Sequence, residues 1–347
     1  MKKLFKKRAI SVEAPSSLRI TNETVAEHRE KILAGGRRFK YPVQYAKHKL
    51  VFNAVLIALT TLLIIGVIGW WQLYSAQNTS NFFYRATRII PLPVASIDGE
   101  TVRYSDYLMR YRSQVHWLDE KGQIEQGEQD NQRQANYIKR SVLDNIEANA
   151  YASKLAREMN ITVDEDEVDD VIDRSLQTAN GTISQDLYDA STLDTLGYSR
   201  DEYRLIINQS LLKQKVAYEM DSEAKTTLST TQKLLATNSA DFDATATTIG
   251  NNVQSGASGL VRKNNQDGGL TQAASKLSVG QTSGVIKSTT GDGYYLVKLL
   301  EITDTQLSYG YIKIPLISFA KSLAKIRADG KVKEYISIPK SETTPVK

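Results

Sequence analysis

The longest apolar segment of the chain limits the folds that the chain can adopt. It covers residues 50–74 and reads LVFNAVLIALTTLLIIGVIGWWQLY. No charged residue occurs between Lys49 and Arg85. About 20 apolar residues are enough for a helix to cross a bilayer, and amphipathic rings such as those of Trp70 and Trp71 favour the bilayer surface. The segment therefore predicts one membrane-spanning helix. A buried core helix, or a cleaved signal peptide with its shorter apolar stretch, fits less well.

Charge is distributed unevenly about this segment. Residues 1–49 contain 13 Lys and Arg against 4 Asp and Glu, a net charge of +9, whereas the rest contains 31 against 35, a net charge of −4. Because basic flanks of membrane helices stay in the cytoplasm, residues 1–49 are predicted to be a cytoplasmic tail. This tail has little periodic apolar pattern and is predicted to be mostly disordered. The bulk of the chain, after about residue 75, is then predicted to lie on the extracytoplasmic side of the cell membrane. Since the basic excess belongs to one tail, the pI near 9.0 does not indicate nucleic acid.

Several kinds of chemistry are disfavoured by the sequence. The chain has no cysteine, which excludes disulfides, thiolate nucleophiles and cysteine-ligated metals. It also lacks a phosphate-binding glycine loop and the HExxH and GxSxG motifs. The acidic stretch DEDEVDD at 164–170 lacks the loop of a calcium site and fits the solvated first turn of a helix. The sequence therefore predicts no cofactor and no metal site.

The segment after the membrane helix divides into a linker and a helical region. Residues 75–92, polar at first and ending in prolines, are predicted to be a linker. Residues 93–222 begin with a predicted hairpin around DGE at 98–100, followed by a helix that Ser105 would cap. Three further helices are predicted, one over about 133–159 and two behind the capping boxes TVDE and SRDE. The stretches QTANGTISQD and STLDTLG between them are predicted to be loops.

The order of these motifs resembles the N-terminal chaperone region of the SurA and PrsA foldases. The similar stretches are VASIDGETVRYSDY, then LDNIEANAYASKLAREMNITVDEDEVDDVI, then LGYSRDEYRLIINQSLLKQKV, over residues 93–220. The resemblance implies an apolar cradle for unfolded polypeptide rather than a catalytic centre. A helical domain without a client is the alternative.

Residues 223–340 resemble a prolyl isomerase domain of the parvulin (PpiC) type. The similar stretches are SADFDATATTIG and, over residues 255–302, AASKLSVGQTSGVI followed by the strand GDGYYLVKLLEI. The family's pocket positions correspond here to Gln266, Leu270, Thr290 and Tyr295, of which only the threonine is retained. A histidine is usual at the position of Tyr295, so the resemblance implies a degenerate isomerase site.

The opening strand of that domain has no counterpart before Asp241, which would leave the final strand with an unpaired edge. SYGYIKIPL at 308–316 alternates as a strand would, and a helix over 318–330 and a strand over 331–338 follow it. Two placements fit this segment. It could complete the sheet as a permuted strand, or it could dock on the helical region, and the first is favoured. Residues 341–347 form a predicted tail.

The sequence therefore predicts an α+β chain with an N-terminal transmembrane helix, a mainly helical chaperone domain and a small parvulin-like domain that a C-terminal strand completes. Its predicted function is that of a membrane-anchored, extracytoplasmic, foldase-like chaperone. Its partners would be unfolded or secreted polypeptides, with lipid around residues 50–74 and no nucleic acid. The alternatives are an active prolyl isomerase and a non-catalytic scaffold subunit of an envelope assembly.

Overall fold

The structure is a computed structural model, and it divides into two compact units, Met1–Trp70 and Trp71–Lys347. The side chains of 35–47 are outside its description, and so is the predicted tail 341–347. The described residues are 21–40, 42–178, 181–237, 241–250 and 252–339.

The first unit contains two helices, α1 (Asn22–Lys40) and α2 (Pro42–Trp70). The prediction of a mostly disordered tail is wrong for α1. The Thr24 hydroxyl donates to the carbonyl oxygen of Thr21 at 2.8 Å, which helps to close the first turn of this helix. An apolar helix long enough to cross a membrane runs over His48–Ser75, and its most apolar 18 residues are not buried inside the protein. Its position agrees with the predicted segment.

The second unit begins with the π-helical turn Trp71–Ser75 and helix α3 (Asn81–Ile89). The predicted linker 75–92 is therefore wrong over its second half. The reason is the three-residue spacing of Tyr84 and Thr87, which are both buried and give the segment one inward face.

Next comes the predicted hairpin, formed by β1 (Pro93–Ile97) and β2 (Glu100–Arg103), and then α4 (Tyr104–Glu120) and α5 (Glu128–Glu158). Ser105 does not cap α4, because the helix already starts at Tyr104, directly after β2 ends.

Four shorter elements and one long helix complete the helical region. They are α6 (Glu165–Leu176), β3 (Gln177–Thr178), β4 (Gly181–Thr182), α7 (Gln185–Leu196) and α8 (Arg200–Met220). The capping box of α8 at Ser199 and Glu202 is confirmed. The capping box of α6 begins at Asp164, two residues later than predicted. The Asp164 N–H, rather than the Thr162 N–H, donates to a carboxylate oxygen, Glu167 Oε2, at 2.9 Å. The predicted STLDTLG loop is wrong for all but its last residue, since α7 runs to Leu196 and Gly197 ends it in a left-handed conformation.

The C-terminal region contains a five-stranded sheet with helices on both faces. Its elements are α9 (Ser222–Thr237), α10 (Phe242–Ile249), β5 (Gln254–Ala257), β6 (Val261–Arg262), α11 (Leu270–Ala274), β7 (Ile286–Lys287), β8 (Gly293–Ile302) and β9 (Gln306–Pro315). The strand order is β5-β9-β8-β7, and β6 also pairs with β9. Strands β8 and β9 are antiparallel from Gly293 opposite Pro315 to Ile302 opposite Leu307, so the segment 308–316 does pair with the strand that precedes it. A Cβ at Gly293 would collide with the carbonyl oxygen of Ile314, which explains glycine at this crossing.

Alternation along the two long strands sends side chains to two faces of this sheet. On one face, Tyr295, Val297 and Leu299 pack with Leu270 and Ala274 around α11. On the other face, β8 and β9 pack against α8, α9 and α10. The strands contribute Tyr294, Leu296, Ile312 and Ile314 to this second packed layer, and the helices contribute Tyr218, Ala224, Leu235, Phe242 and Ala246.

The chain then returns to the helical region through α12 (Ser318–Ala328) and β10 (Val332–Glu334). Strand β10 pairs with β1, from Ala95 opposite Glu334 to Ile97 opposite Val332. Ile326, Ile336 and Ile338 are buried in the core that Tyr104, Tyr107, Leu108 and Leu143 form. The prediction that residues 318–338 belong with the parvulin-like region 223–340 is wrong. Their apolar side chains complete the core of the helical region. Strand β9 completes the sheet and the residues after it dock on the helical region, so each of the two predicted placements describes a different part of the C-terminal segment.

Candidate functional site

A groove of about 700 Å³ runs beside α8, where the helical region meets the C-terminal sheet. We call it the α8 groove. Its apolar lining comes from the end of α5, from α6 and from α8, and a turn of the C-terminal region closes one side. The lining residues are Met159, Ile161, Val171, Arg174, Ser175, Leu211, Gln214, Lys215, Tyr218, Glu219, Gln266, Lys287, Ser288 and Thr289.

The apolar part of the α8 groove follows from how α5 ends. Asn160 takes a left-handed conformation, with φ of 55°, which stops the helix after Glu158. The Ile161 N–H then donates to the Ala156 carbonyl at 2.8 Å, and Ile161 lines the groove beside Val171 and Leu211. These aliphatic side chains are only half-buried, so their apolar surface is available to another molecule.

The rim of the α8 groove carries more positive than negative charge. Three cations, Arg174, Lys215 and Lys287, face one lining carboxylate, Glu219. Lys215 donates to Glu167 Oε2 at 2.5 Å, and the ammonium of Lys287 lies 5.7 Å from the centre of the Tyr218 ring. The groove therefore offers apolar contact along its floor and charge-assisted hydrogen bonds at its edge.

Side chains of α8 fasten the helical region to the turn before β8. Gln214 Nε2 donates to the carbonyl oxygen of Ser288 at 2.7 Å. The Tyr218 hydroxyl lies within hydrogen-bond distance of two carbonyl oxygens, that of Ser288 at 3.0 Å and that of Gly293 at 2.7 Å. Helix α8 supplies part of the floor of the groove and also the hydrogen bonds that join the helical region to the turn before β8. The packing of α8 therefore sets the width of the groove.

The end of α8 is held by a fully buried carboxylate. Asp221 accepts hydrogen bonds from the backbone N–H groups of Ala224 at 2.9 Å, Ile317 at 2.7 Å and Ser318 at 2.9 Å. Burial acts to raise the pKa of Asp221, but these hydrogen bonds outweigh it and hold the pKa below its usual value. Asp221 thus joins the starts of α9 and α12 to one point.

Two of the predicted site residues meet at a carboxylate that the sequence did not single out. The Tyr295 hydroxyl donates to Asp292 Oδ2 at 2.6 Å, and the Thr290 hydroxyl donates to Asp292 Oδ1 at 2.7 Å. Lys313 of β9 lies opposite Tyr295 and donates to Asp292 Oδ2 at 2.5 Å. The only sequence signal for this cluster was the turn Gly-Asp-Gly, since the contribution of Lys313 depends on strand register.

Electrostatics keep this cluster in one charge state at neutral pH. Burial acts to raise the pKa of Asp292, but hydrogen bonds from Lys313, Tyr295 and Thr290 hold it well below its usual value. Burial and the hydrogen bond to Asp292 both raise the pKa of Tyr295 above its usual value. The ionised carboxylate of Asp292 therefore accepts a hydrogen bond from the neutral phenol of Tyr295, and Tyr295 keeps its proton in this bond.

The other two predicted site residues lie in different surroundings. Leu270 begins α11 and is buried in the core face that also holds Tyr295. Gln266 is exposed and lines the α8 groove next to Ser288 and Thr289. The lining of the α8 groove includes Gln266 but not Leu270, Thr290 or Tyr295.

Among the described residues, no group of three or more His, Asp or Glu side chains is placed to hold a metal ion. The acidic cluster 164–170 instead supplies ion pairs to α8. Arg204 contacts Glu165 Oε2 at 2.6 Å and Asp169 Oδ1 at 2.5 Å, and Lys215 contacts Glu167.

The SurA-like N-terminal domain family matches residues 44–217, half of the chain, and the protein belongs to this family. Domains of this kind are chaperones that bind unfolded polypeptides in general, and the family is extracytoplasmic. Neither a characterised protein nor a solved structure gave a match. The match ends three residues before the end of α8, so the C-terminal sheet lies outside it.

Proposed function

We propose that the protein is a membrane-anchored, extracytoplasmic, foldase-like chaperone that holds segments of non-native or secreted polypeptides in the α8 groove. The observation that carries the proposal is the half-buried aliphatic floor of this groove beside a basic rim, in a chain of a chaperone family. A short extended segment with apolar side chains and an occasional acidic residue fits such a surface.

The anchor is supported by the apolar helix His48–Ser75 and by the charge on either side of it. The positive charge of residues 1–49, directly before the apolar helix, favours a cytoplasmic N-terminus and so an extracytoplasmic position for the remainder. An anchor of this kind would keep the α8 groove close to the place where exported chains emerge. Lipid would then contact residues 50–70 directly, whereas Leu73 is buried in the protein core.

An acidic substitution in the floor of the groove should weaken client binding. Leu211→Asp and Met159→Asp place a charge where an apolar client side chain would rest, and we expect about tenfold weaker binding. The measurement is suppression of aggregation of an unfolded test protein by the full chain in nanodiscs, together with photo-crosslinking of that client from the groove.

Leu205→Asp is the matched control, because Leu205 lies on the same helix, is 42% exposed and does not line the groove. Circular dichroism of each variant checks that α8 is intact. If the groove variants bind as well as the control across several clients, the groove is not the client site, and a scaffold with one fixed partner becomes the better hypothesis.

We further propose that the C-terminal region has no prolyl isomerase activity. Holding a proline ring in a twisted state requires a close apolar pocket, whereas Gln266 faces the groove and the Tyr295 hydroxyl is bound to Asp292. The cluster of Tyr295, Asp292 and Lys313 then serves as a structural tie between β8 and β9.

Tyr295→His alone is therefore expected not to create an isomerase. Both the protein and this variant should leave the isomerisation of a proline peptide at its uncatalysed rate, with a time constant of tens of seconds or more. The measurement is a proline-peptide isomerisation assay, with an active parvulin as the positive control. Turnover above background by the unmodified protein would show that other side chains serve the reaction.

A further inference from the structure

Helix α3 has one face packed into the protein and one face in solvent. Tyr84 and Thr87 are buried, and the Tyr84 hydroxyl donates to Glu202 of α8. The outward face carries large apolar side chains, with Phe82 72% exposed, Ile89 83% and the following Ile90 57%.

Two arginines are exposed on the same helix. Arg85 lies between Phe82 and Ile89 along the outward face, and Arg88 lies beside it, with its nearer nitrogen 4.0 Å from Glu202. In helices that lie in the surface of a bilayer, large apolar side chains enter the acyl boundary and cationic side chains meet lipid phosphates, and the exposed side of α3 offers both kinds.

The second unit also contains the last turn of the candidate membrane helix. The Tyr104 hydroxyl donates to the Leu73 carbonyl at 2.6 Å, and the Tyr74 hydroxyl donates to the Pro93 carbonyl at 2.7 Å. Leu73 is buried in the same core as Tyr104 and Tyr107. The residues that follow Trp70 are thereby fixed within this unit.

Only five residues, 76–80, separate this turn from α3. At about 3.5 Å per residue the start of α3 lies within about 20 Å of Ser75. Given the proposed anchor, the exposed face of α3 lies within this distance of the bilayer, and continuity with the membrane helix favours lipid as its occupant.

We infer that the face formed by Phe82, Arg85, Ile89 and Ile90 docks on the extracytoplasmic surface of the bilayer, with anionic headgroups as its ligands. This inference rests on the proposed membrane anchor. The docked helix would place its apolar side chains about 5–10 Å below the headgroups. It would hold the chaperone domain at a fixed orientation to the membrane, rather than free to turn on its tether.

The natural chain has no cysteine, so single cysteines can be placed and labelled without side reactions. The test uses the full chain in nanodiscs of phosphatidylcholine with phosphatidylglycerol, some lipids carrying a doxyl quencher. An environment-sensitive fluorophore is attached at Phe82→Cys or Ile89→Cys. Leu260→Cys, at an apolar residue 56% exposed in the C-terminal region, is the matched control, and Ile64→Cys reports on the membrane helix itself.

We expect quenching at 82 and 89 to exceed that at 260 by a factor of about two or more, and quenching at 64 to be strong. Arg85→Glu should lower the quenching at 89. Strong quenching at 64 with 82 and 89 no different from 260 would overturn the docking of α3 alone. Weak quenching at 64 would overturn the anchor and the docking with it. Unchanged quenching at 89 in the Arg85→Glu protein would overturn the assignment of anionic headgroups.

Discussion

Ending the chain before Gln306 is expected to unfold the C-terminal sheet. The truncation removes β9, which lies between β5 and β8 and also pairs with β6. It takes away Ile312 and Ile314, both almost fully buried, and all the ladder hydrogen bonds between β8 and β9. Each backbone hydrogen bond contributes about 1 kcal/mol net, and a domain is stable by only about 5–15 kcal/mol. Losing this strand should therefore exceed what the region can tolerate.

Hydrogen exchange of the backbone amides over 294–299 measures the effect, and exchange there should approach that of an unstructured chain. A second truncation, before Ser318, is the matched comparison, because it retains β9 but removes α12 and β10. It should leave 294–299 protected and should speed exchange at Ala95–Ile97, where β10 pairs with β1. Undiminished protection of 294–299 in the shorter chain would show that β8 is stable without its partner.

Sequence patterns predicted those features of the sheet that depend on residues close together along the chain. The alternation of Tyr309, Tyr311 and Lys313 indicates a strand, and an unpaired edge on 294–300 indicates where that strand would go. The capping box at Ser199 likewise marked the start of α8 correctly. In each case neighbours within about four residues along the chain carry the signal.

Other features depend on residues far apart in sequence, and the sequence pattern did not predict them. Strand β10 pairs with β1 across more than 200 residues, so nothing near Val332 marks it as part of the helical region. The bond between Lys313 and Asp292 exists only because strand register sets Lys313 opposite Tyr295. The α8 groove is built from five separate segments and has no linear motif. Polar residues and flanking prolines make the sequence of α3 look like a linker, and the buried face that Tyr84 and Thr87 form becomes visible only in the structure.

Replacing Glu147 by glutamine is expected to stabilise the protein at neutral and alkaline pH. Glu147 lies on α5 and is 1% exposed, and its Oε2 accepts a hydrogen bond from Arg327 of α12 at 3.0 Å. Its Oε1 has no hydrogen-bond partner among the described residues. Burial raises the pKa of Glu147 from 4.5 to about 7, although the charge of Arg327 opposes the shift.

The sign of the effect follows from the raised pKa. Between about pH 4.5 and 7 the folded protein keeps a proton on Glu147 that the unfolded chain has released. The stability that this carboxyl contributes is therefore complete below pH 4.5 and is lost as the pH rises through about 7. One pKa unit corresponds to about 1.4 kcal/mol, so the loss amounts to about 3 kcal/mol. Glutamine carries no charge and still offers Arg327 an acceptor.

Urea unfolding of the full chain in nanodiscs, followed by the circular dichroism of its helices, measures the difference at about pH 8 and about pH 4.5. The Glu147→Gln protein should unfold at a higher urea concentration than the natural protein at the higher pH, and at the same concentration at the lower pH. Glu158→Gln changes an exposed glutamate on the same helix and should show no such dependence. A Glu147→Gln protein that is less stable at the higher pH would mean that the ion pair with Arg327 is worth more than the burial of the charge costs, so that the carboxylate ties α12 to α5 in its ionised form.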